Sequence, residues 1–168
     1  PAGSDRVPLV DLEEEDWDMV HRVNVKGTFL CCRAIARHMI DKNQGGKIIN
    51  ISSLAGKRGI ARYAAYCSSK FAVIGLTESL AKELAPHRIN VNAICPGIVV
   101  TDMVHERAGR AQGLGGVDEL VSFYTAHTAL QRPVTVGEVA AFAVHLASDE
   151  GAGFSGGTIS LDGGDAYY

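Results

Sequence analysis

The stretch KIINISSLAGKRGIARYAAYCSSK, residues 47–70, decides the fold. It opens with a short β-branched apolar run, Lys47–Ser52, which reads as a buried strand. A loop rich in small and basic residues follows, SLAGKRGIAR. From about Ala64 to Ala85 the pattern turns helical, with Val73, Leu76, Leu80 and Leu84 as an apolar stripe and Pro86 as the stop. An apolar strand feeding a helix through a small-residue loop is the basic unit of an α/β protein.

The rest of the chain repeats that unit. Asp11 offers a helix N-cap with Glu14 as its capping-box partner, and the apolar pattern behind it runs to about residue 40, with a bend expected at Gly27. RINVNAICPG, residues 88–97, reads as a second strand, stopped by Pro96-Gly97. A helix is predicted near 117–128. Thr135 and Glu138 form a capping box ahead of another helix, 136–147. A third strand, 157–162, closes at Gly163-Gly164. The spacing predicts a Rossmann-like doubly wound α/β architecture in one domain, residues 1–168, with 47–52, 89–95 and 157–162 as parallel strands.

The bulk numbers fit one globular domain. There are 168 residues, 46% hydrophobic and 21% charged, with a net charge of −3. That charge gives no footprint for nucleic acid or an anionic membrane, and no apolar run approaches a membrane span. The histidines are scattered and no pair of cysteines has C-x-x-C spacing, so no metal site is expected. Cys31, Cys32, Cys67 and Cys95 all lie in apolar runs and are expected to be buried, reduced thiols of a cytoplasmic protein.

Ligands of open parallel sheets bind beyond the carboxyl ends of the strands. The first strand ends in Ser52-Ser53, and the helix after it begins with Tyr63, Tyr66 and Lys70. Tyr66 and Lys70 are four apart, on one helical face. A lysine ammonium favours the phenolate and lowers the tyrosine pKa from about 10. Bringing it near 7 takes about 4 kcal/mol of differential interaction. The product is a general acid/base. Ser53 can donate to a carbonyl oxygen that Tyr66 protonates, which is the chemistry of ketone reduction or alcohol oxidation with a hydride cofactor. Tyr63 has a cysteine, not a lysine, four residues on. The small Cys67, Ser68 and Ser69 are expected to leave room for cofactor and substrate.

Five motifs carry a resemblance: VNVKG (23–27), INISSLAG (49–56), YCSSK (66–70), INVNAICPG (89–97) followed by Thr101, and LDGG (161–164). In this order and spacing the chain resembles the classical short-chain dehydrogenases/reductases. The resemblance implies a catalytic set of Asn24, Ser53, Tyr66 and Lys70. It implies that Tyr66, Lys70, Pro96, Gly97, Ile98 and Thr101 contact the nicotinamide half of NAD, or of NADP. Lys70 would bond the nicotinamide ribose and Asn24 would hold a water of a proton relay. The branch most similar acts on polyols, diols and acetoin-like ketones, so the expected substrate is a small secondary alcohol or ketone. The expected assembly is a homodimer or homotetramer.

The chain covers only the C-terminal two-thirds of the family's pattern. The T-G-x-x-x-G-x-G turn for the pyrophosphate has no counterpart, and PAGSDRVPL resembles the tail of the family's N-N-A-G stretch, with Pro1 in place of its second asparagine. The N-terminal cofactor-binding part is therefore expected to be absent, and 168 residues alone to bind a dinucleotide at about millimolar strength or worse, inactive and prone to aggregate. Gly109–Gly115 fits G-x-x-x-G-x-G by letter but follows no strand, and is read as a loop. Two rival readings are a truncated, non-catalytic oligomerising module, and a cysteine-nucleophile enzyme using Cys67 or Cys95.

Overall fold

The computed structural model describes residues 6–102, 104–105 and 116–165. The Pro1 substitution and the Gly109–Gly115 loop lie outside the described residues.

Three strands form one parallel sheet in the order β1 (Gly46–Ile51), β2 (Ile89–Pro96) and β3 (Thr158–Leu161). Ile48 pairs with Val91, and Ile94 with Ile159. The three predicted strands are present within a residue or two of their expected bounds. β2 is buried along nearly its whole length, because it lies between two neighbours with helices against it.

Helices α1 (Glu14–His21), α2 (Gly27–Lys42) and α3 (Ala64–Leu84) come first, followed by α4 (Val117–Thr125) and α5 (Val136–Ala147). Cys32 and Ala36 of α2 and Ala81 and Leu84 of α3 pack with Ile48, Ile89 and Val91 of the sheet. Strand side chains alternate between faces. α5 lies against β1 and β2. Its capping box is complete: Thr135 Oγ1 accepts from the Glu138 amide, and the Glu138 carboxylate accepts from the Thr135 amide.

Four expectations need correction. Asp11 does not cap a helix. Pro8 precedes a 3-10 turn, Leu9–Asp11, that absorbs Asp11, and α1 starts after Glu13 without a side-chain cap. The long helix of residues 12–40 does not simply bend at Gly27. A π turn, Arg22–Lys26, separates α1 from α2, and Gly27 opens α2. The inward face of α3 keeps only half of the expected stripe. Val73 and Leu84 are buried, together with Ala65, Cys67, Ser69, Thr77 and Ala81, while Leu76 and Leu80 are only partly covered. Cys31 is exposed, because α2 turns its neighbour Cys32 toward the sheet; the other three cysteines are buried and all four are free.

Candidate active site

The carboxyl end of β1 carries the site. β1 ends at Ile51, and Ser52 extends the ladder by one bond from its amide to Ile94 O at 2.8 Å. Ser53 then caps a 3-10 turn, Leu54–Gly56, its Oγ accepting from the Ala55 amide at 3.1 Å. An accepting hydroxyl keeps its proton for another partner. Ser52 Oγ donates to Lys70 O at 2.9 Å, so the turn is fastened to α3. Gly56 permits this approach: a Cβ there would lie 2.6 Å from Ser52 Oγ and 2.8 Å from Lys70 O.

α3 starts at Ala64 after Tyr63, so Tyr66 lies in its first turn, where the helix dipole favours negative charge. Tyr63 is 7% exposed and packs with Ala55 and Cys67, whereas Tyr66 is only partly covered. The two rings meet edge to face at 6.2 Å. Lys70 reaches back along α3. Its Nζ stands 5.7 Å from the Tyr66 ring centroid and donates to Ile51 O at 3.0 Å. Burial pushes the Lys70 pKa down, and the neighbouring Cys95 opposes that. Tyr66, Lys70 and Ser53 thus share one edge of the sheet.

Asn24 arrives from the π turn. Its Nδ2 donates to Ser69 Oγ at 3.0 Å, and Ser69 Oγ donates to Tyr66 O at 2.7 Å. Thr28 Oγ1 bonds Asn24 O at 2.7 Å. One residue along, Ser68 Oγ donates to the Ala64 and Ala65 carbonyls and meets His21 Nε2 at 2.9 Å. The serines of YCSSK are therefore docking groups, and Cys67 is core. That role was missed because its partners lie more than 40 residues away.

The stretch Pro96–Thr101 begins at the last residue of β2 and runs beyond its carboxyl end. The Gly97 amide donates to Leu161 O, and a Cβ at Gly97 would stand 2.9 Å from Asp162 Cα. Ile98 packs with Val104 and Leu120 of α4, and Thr101 O accepts from the Val104 amide. Arg58 pairs with Asp165 through two contacts of 2.8 Å, tying the loop after Ser53 to the turn after β3. Neither cysteine has the surroundings of a nucleophile. Cys67 is core, and burial pushes the Cys95 thiol up, away from thiolate.

A strand–turn–helix unit with a serine, a tyrosine and a lysine on one sheet edge defines a class of protein, and comparison with known proteins agrees. The chain belongs to the short-chain dehydrogenase/reductase family: the family model described as Enoyl-(Acyl carrier protein) reductase matches residues 2–165. It is 43% identical to the Short-chain reductase protein NovJ of Streptomyces niveus over 93% of this chain and 58% of that one. It is 34% identical to a D-threitol dehydrogenase of Mycolicibacterium smegmatis, over 97% of this chain and 60% of the other. Carveol dehydrogenase from Mycobacterium avium, solved in complex with NAD, superposes with a TM-score of 0.89 at 28% identity, over 97% of this chain and 61% of that one. The chain therefore spans less than two-thirds of the length of each. Among the described residues no helix is long and apolar enough to cross a membrane.

Proposed function

We propose that the protein, as the catalytic and substrate-binding part of a short-chain dehydrogenase, takes part in hydride transfer between a nicotinamide cofactor, NAD in preference to NADP, and a small secondary alcohol or ketone of the polyol or diol type. The observation that carries this reading is the placement of Lys70 Nζ, 5.7 Å from the Tyr66 ring and held at the carboxyl end of β1 by Ile51 O. The D-threitol and NAD named for two relatives support the choice of substrate class and cofactor.

The donor set fits such a cofactor. Lys70 has three N–H donors and commits one to Ile51 O, which leaves two for the hydroxyls of a ribose. Pro96, Gly97, Ile98 and Thr101 would line the nicotinamide side. The nicotinamide supplies or accepts the hydride. The chain's own residues manage the proton and the developing charge. Tyr66 gives its phenolic proton to the substrate oxygen in reduction, or takes one in oxidation. The Lys70 ammonium stabilises the phenolate, and the Ser53 hydroxyl proton bonds the same substrate oxygen. Asn24, through Ser69, fixes the backbone at Tyr66 and lines the way for a proton to solvent. Phe29, Leu30 and Phe71 stay exposed on α2 and α3, which supports a homodimer or homotetramer.

The test is turnover of polyols and diols by the purified protein joined to the family's N-terminal cofactor-binding part, read from the absorbance of the reduced nicotinamide. Tyr66→Phe keeps the ring and removes the transferable proton. Turnover is expected to fall about 100-fold or more with little change in cofactor affinity. Near-normal turnover of Tyr66→Phe, together with its loss in Tyr63→Phe, would overturn the assignment and give the proton to Tyr63.

A further inference from the structure

Arg6 makes contacts that the proposed chemistry does not use. Its guanidinium carbon stands 5.3 Å from the Tyr63 ring centroid, 5.7 Å from that of Phe123 and 5.4 Å from that of Tyr124. Its Nη2 also donates to Tyr124 Oη at 2.7 Å. Among the described residues no carboxylate pairs with it, so its side-chain partners are aromatic. The backbone beside it is fixed as well, since the Val7 amide donates to Arg62 O at 2.9 Å, one residue before Tyr63. Phe123 and Tyr124 meet each other edge to face at 5.5 Å.

The three rings belong to two elements that do not follow one another. Tyr63 is the residue from which α3 starts, edge to face with Tyr66. Phe123 and Tyr124 lie on α4, whose Val117, Leu120 and Tyr124 pack against Ile98 and Val104 beyond β2. α4 therefore reaches from Ile98, in the Pro96–Thr101 stretch, toward the start of α3, where Arg6 joins it to Tyr63, three residues before Tyr66. Phe123 is half exposed, so apolar packing alone holds this end of the helix weakly. A planar guanidinium suits the gap: it can face several rings while its edge bonds the phenol, which an ammonium cannot do as well.

We propose that Arg6 is a positioning residue that pins α4 to the start of α3 and thereby sets substrate affinity at the Tyr66 site. The affinity half rests on the function proposed above; the pin itself does not. Substrate that fits under α4 is held by a wall whose position Arg6 fixes. Loosening the wall weakens binding of substrate while the proton-transfer groups keep their places.

Two readouts on the purified protein separate these claims. Hydrogen exchange of the 117–125 amides reports the pin directly. Arg6→Met keeps the stem and removes the charge and the fork; it is expected to speed exchange in α4 about tenfold while β1 and β2 amides are unchanged. Arg6→Lys should fall between the two. In steady-state kinetics Arg6→Met is expected to raise KM for the alcohol or ketone about tenfold and to move kcat less than about threefold. Unchanged α4 exchange overturns the pin. Faster α4 exchange with unchanged KM, or a loss confined to kcat, overturns the link to affinity. If the wild-type protein, joined to the family's N-terminal cofactor-binding part, turns over no substrate, the proposed function falls, and the exchange result alone then upholds or overturns the pin. Should Arg6→Met unfold, seen as faster exchange in β1 and β2 as well, Tyr124→Phe decides instead. It removes only the Oη acceptor and should speed α4 exchange about threefold; no change there overturns the pin.

Discussion

Gly56→Ala should be among the most damaging single methyl additions in the molecule. Gly56 closes the 3-10 turn after Ser53, and it lies where that turn is pressed onto α3. The added Cβ would stand 2.6 Å from Ser52 Oγ, 2.8 Å from Lys70 O and 2.9 Å from Lys70 C. Two of these three atoms are helix backbone, which cannot turn aside as the end of a flexible side chain can. Relief requires the turn to move off α3. Overpacking of this kind costs about 1–3 kcal/mol. The same movement breaks the bond from Ser52 Oγ to Lys70 O, worth about 1 kcal/mol. The sum is about 2–4 kcal/mol, or a fall in Tm of about 4–16 °C for a chain of this length.

Gly59→Ala is the matched control. Gly59 lies three residues further along the same loop with no atom within 4 Å of an added Cβ, so its replacement should change stability by less than about 1 kcal/mol. Urea unfolding of both variants beside the wild type gives the comparison. The displaced turn carries Ser53 and leans on Lys70, so turnover of Gly56→Ala should fall with stability while that of Gly59→Ala holds. Equal stability of the two variants, or a loss at Gly56 under about 0.5 kcal/mol, would refute the close approach from which the argument starts.

Thr77→Val is nearly isosteric but strips the acceptor from Asn50 Nδ2, which lies 3.0 Å away in the core, and should cost about 1–3 kcal/mol in urea unfolding, with Thr77→Ser much milder. Thr135→Ala removes the cap of α5 and should cost about 1 kcal/mol by the same assay. Glu138, bonded by Arg132 and by Thr135, has its pKa lowered from 4.5 to about 2. A lowered carboxylate pKa stabilises the folded state fully above the unfolded value, so this contribution is present above about 4.5 and is lost as pH falls toward about 2. Glu138→Gln should flatten that part of the stability–pH curve, and an unchanged acid limb would count against it.

What was legible in the sequence is what depends on neighbours in the chain. The strands were readable because β-branched apolar runs between turn residues have few other uses, and the Thr135–Glu138 box because both partners lie within four residues. Ser53, Tyr66 and Lys70 fall on a single strand–turn–helix unit, so their common edge followed from local structure alone. Asn24 came only from resemblance. The Arg6 contacts were not legible, since Arg6 and Tyr124 are 118 positions apart and no local pattern marks either. The Asp11 cap failed for a local reason, because Pro8 favoured a tight turn that used Asp11 first.

The leucine stripe failed for a geometric reason that also explains where Asn24 sits. Every fourth residue of α3 from Ala65 to Ala81 is buried: Ala65, Ser69, Val73, Thr77 and Ala81. On a helix of 3.6 residues per turn such a row drifts by about 40° at each step, about 160° over four steps. A row that drifts so far can stay buried only by passing from one neighbour to another. Here Ser69 meets Asn24 of the π turn, while Thr77 bonds Asn50 of β1 and Ala81 packs with Ile48 and Val91. Larger side chains in that row would force either the π turn or the sheet away, so its members are small, and Leu76 and Leu80 fall to its flank. The facing row of every fourth residue, Val20, Asn24, Thr28, Cys32 and Ala36, is covered or partly covered along its length. The wider π turn at Arg22–Lys26 subtracts from that row's drift, so one line of side chains can face α3 at Asn24 and the sheet at Cys32 and Ala36. Asn24 reaches Ser69, and through it the backbone of Tyr66, because the helix changes its winding at that residue.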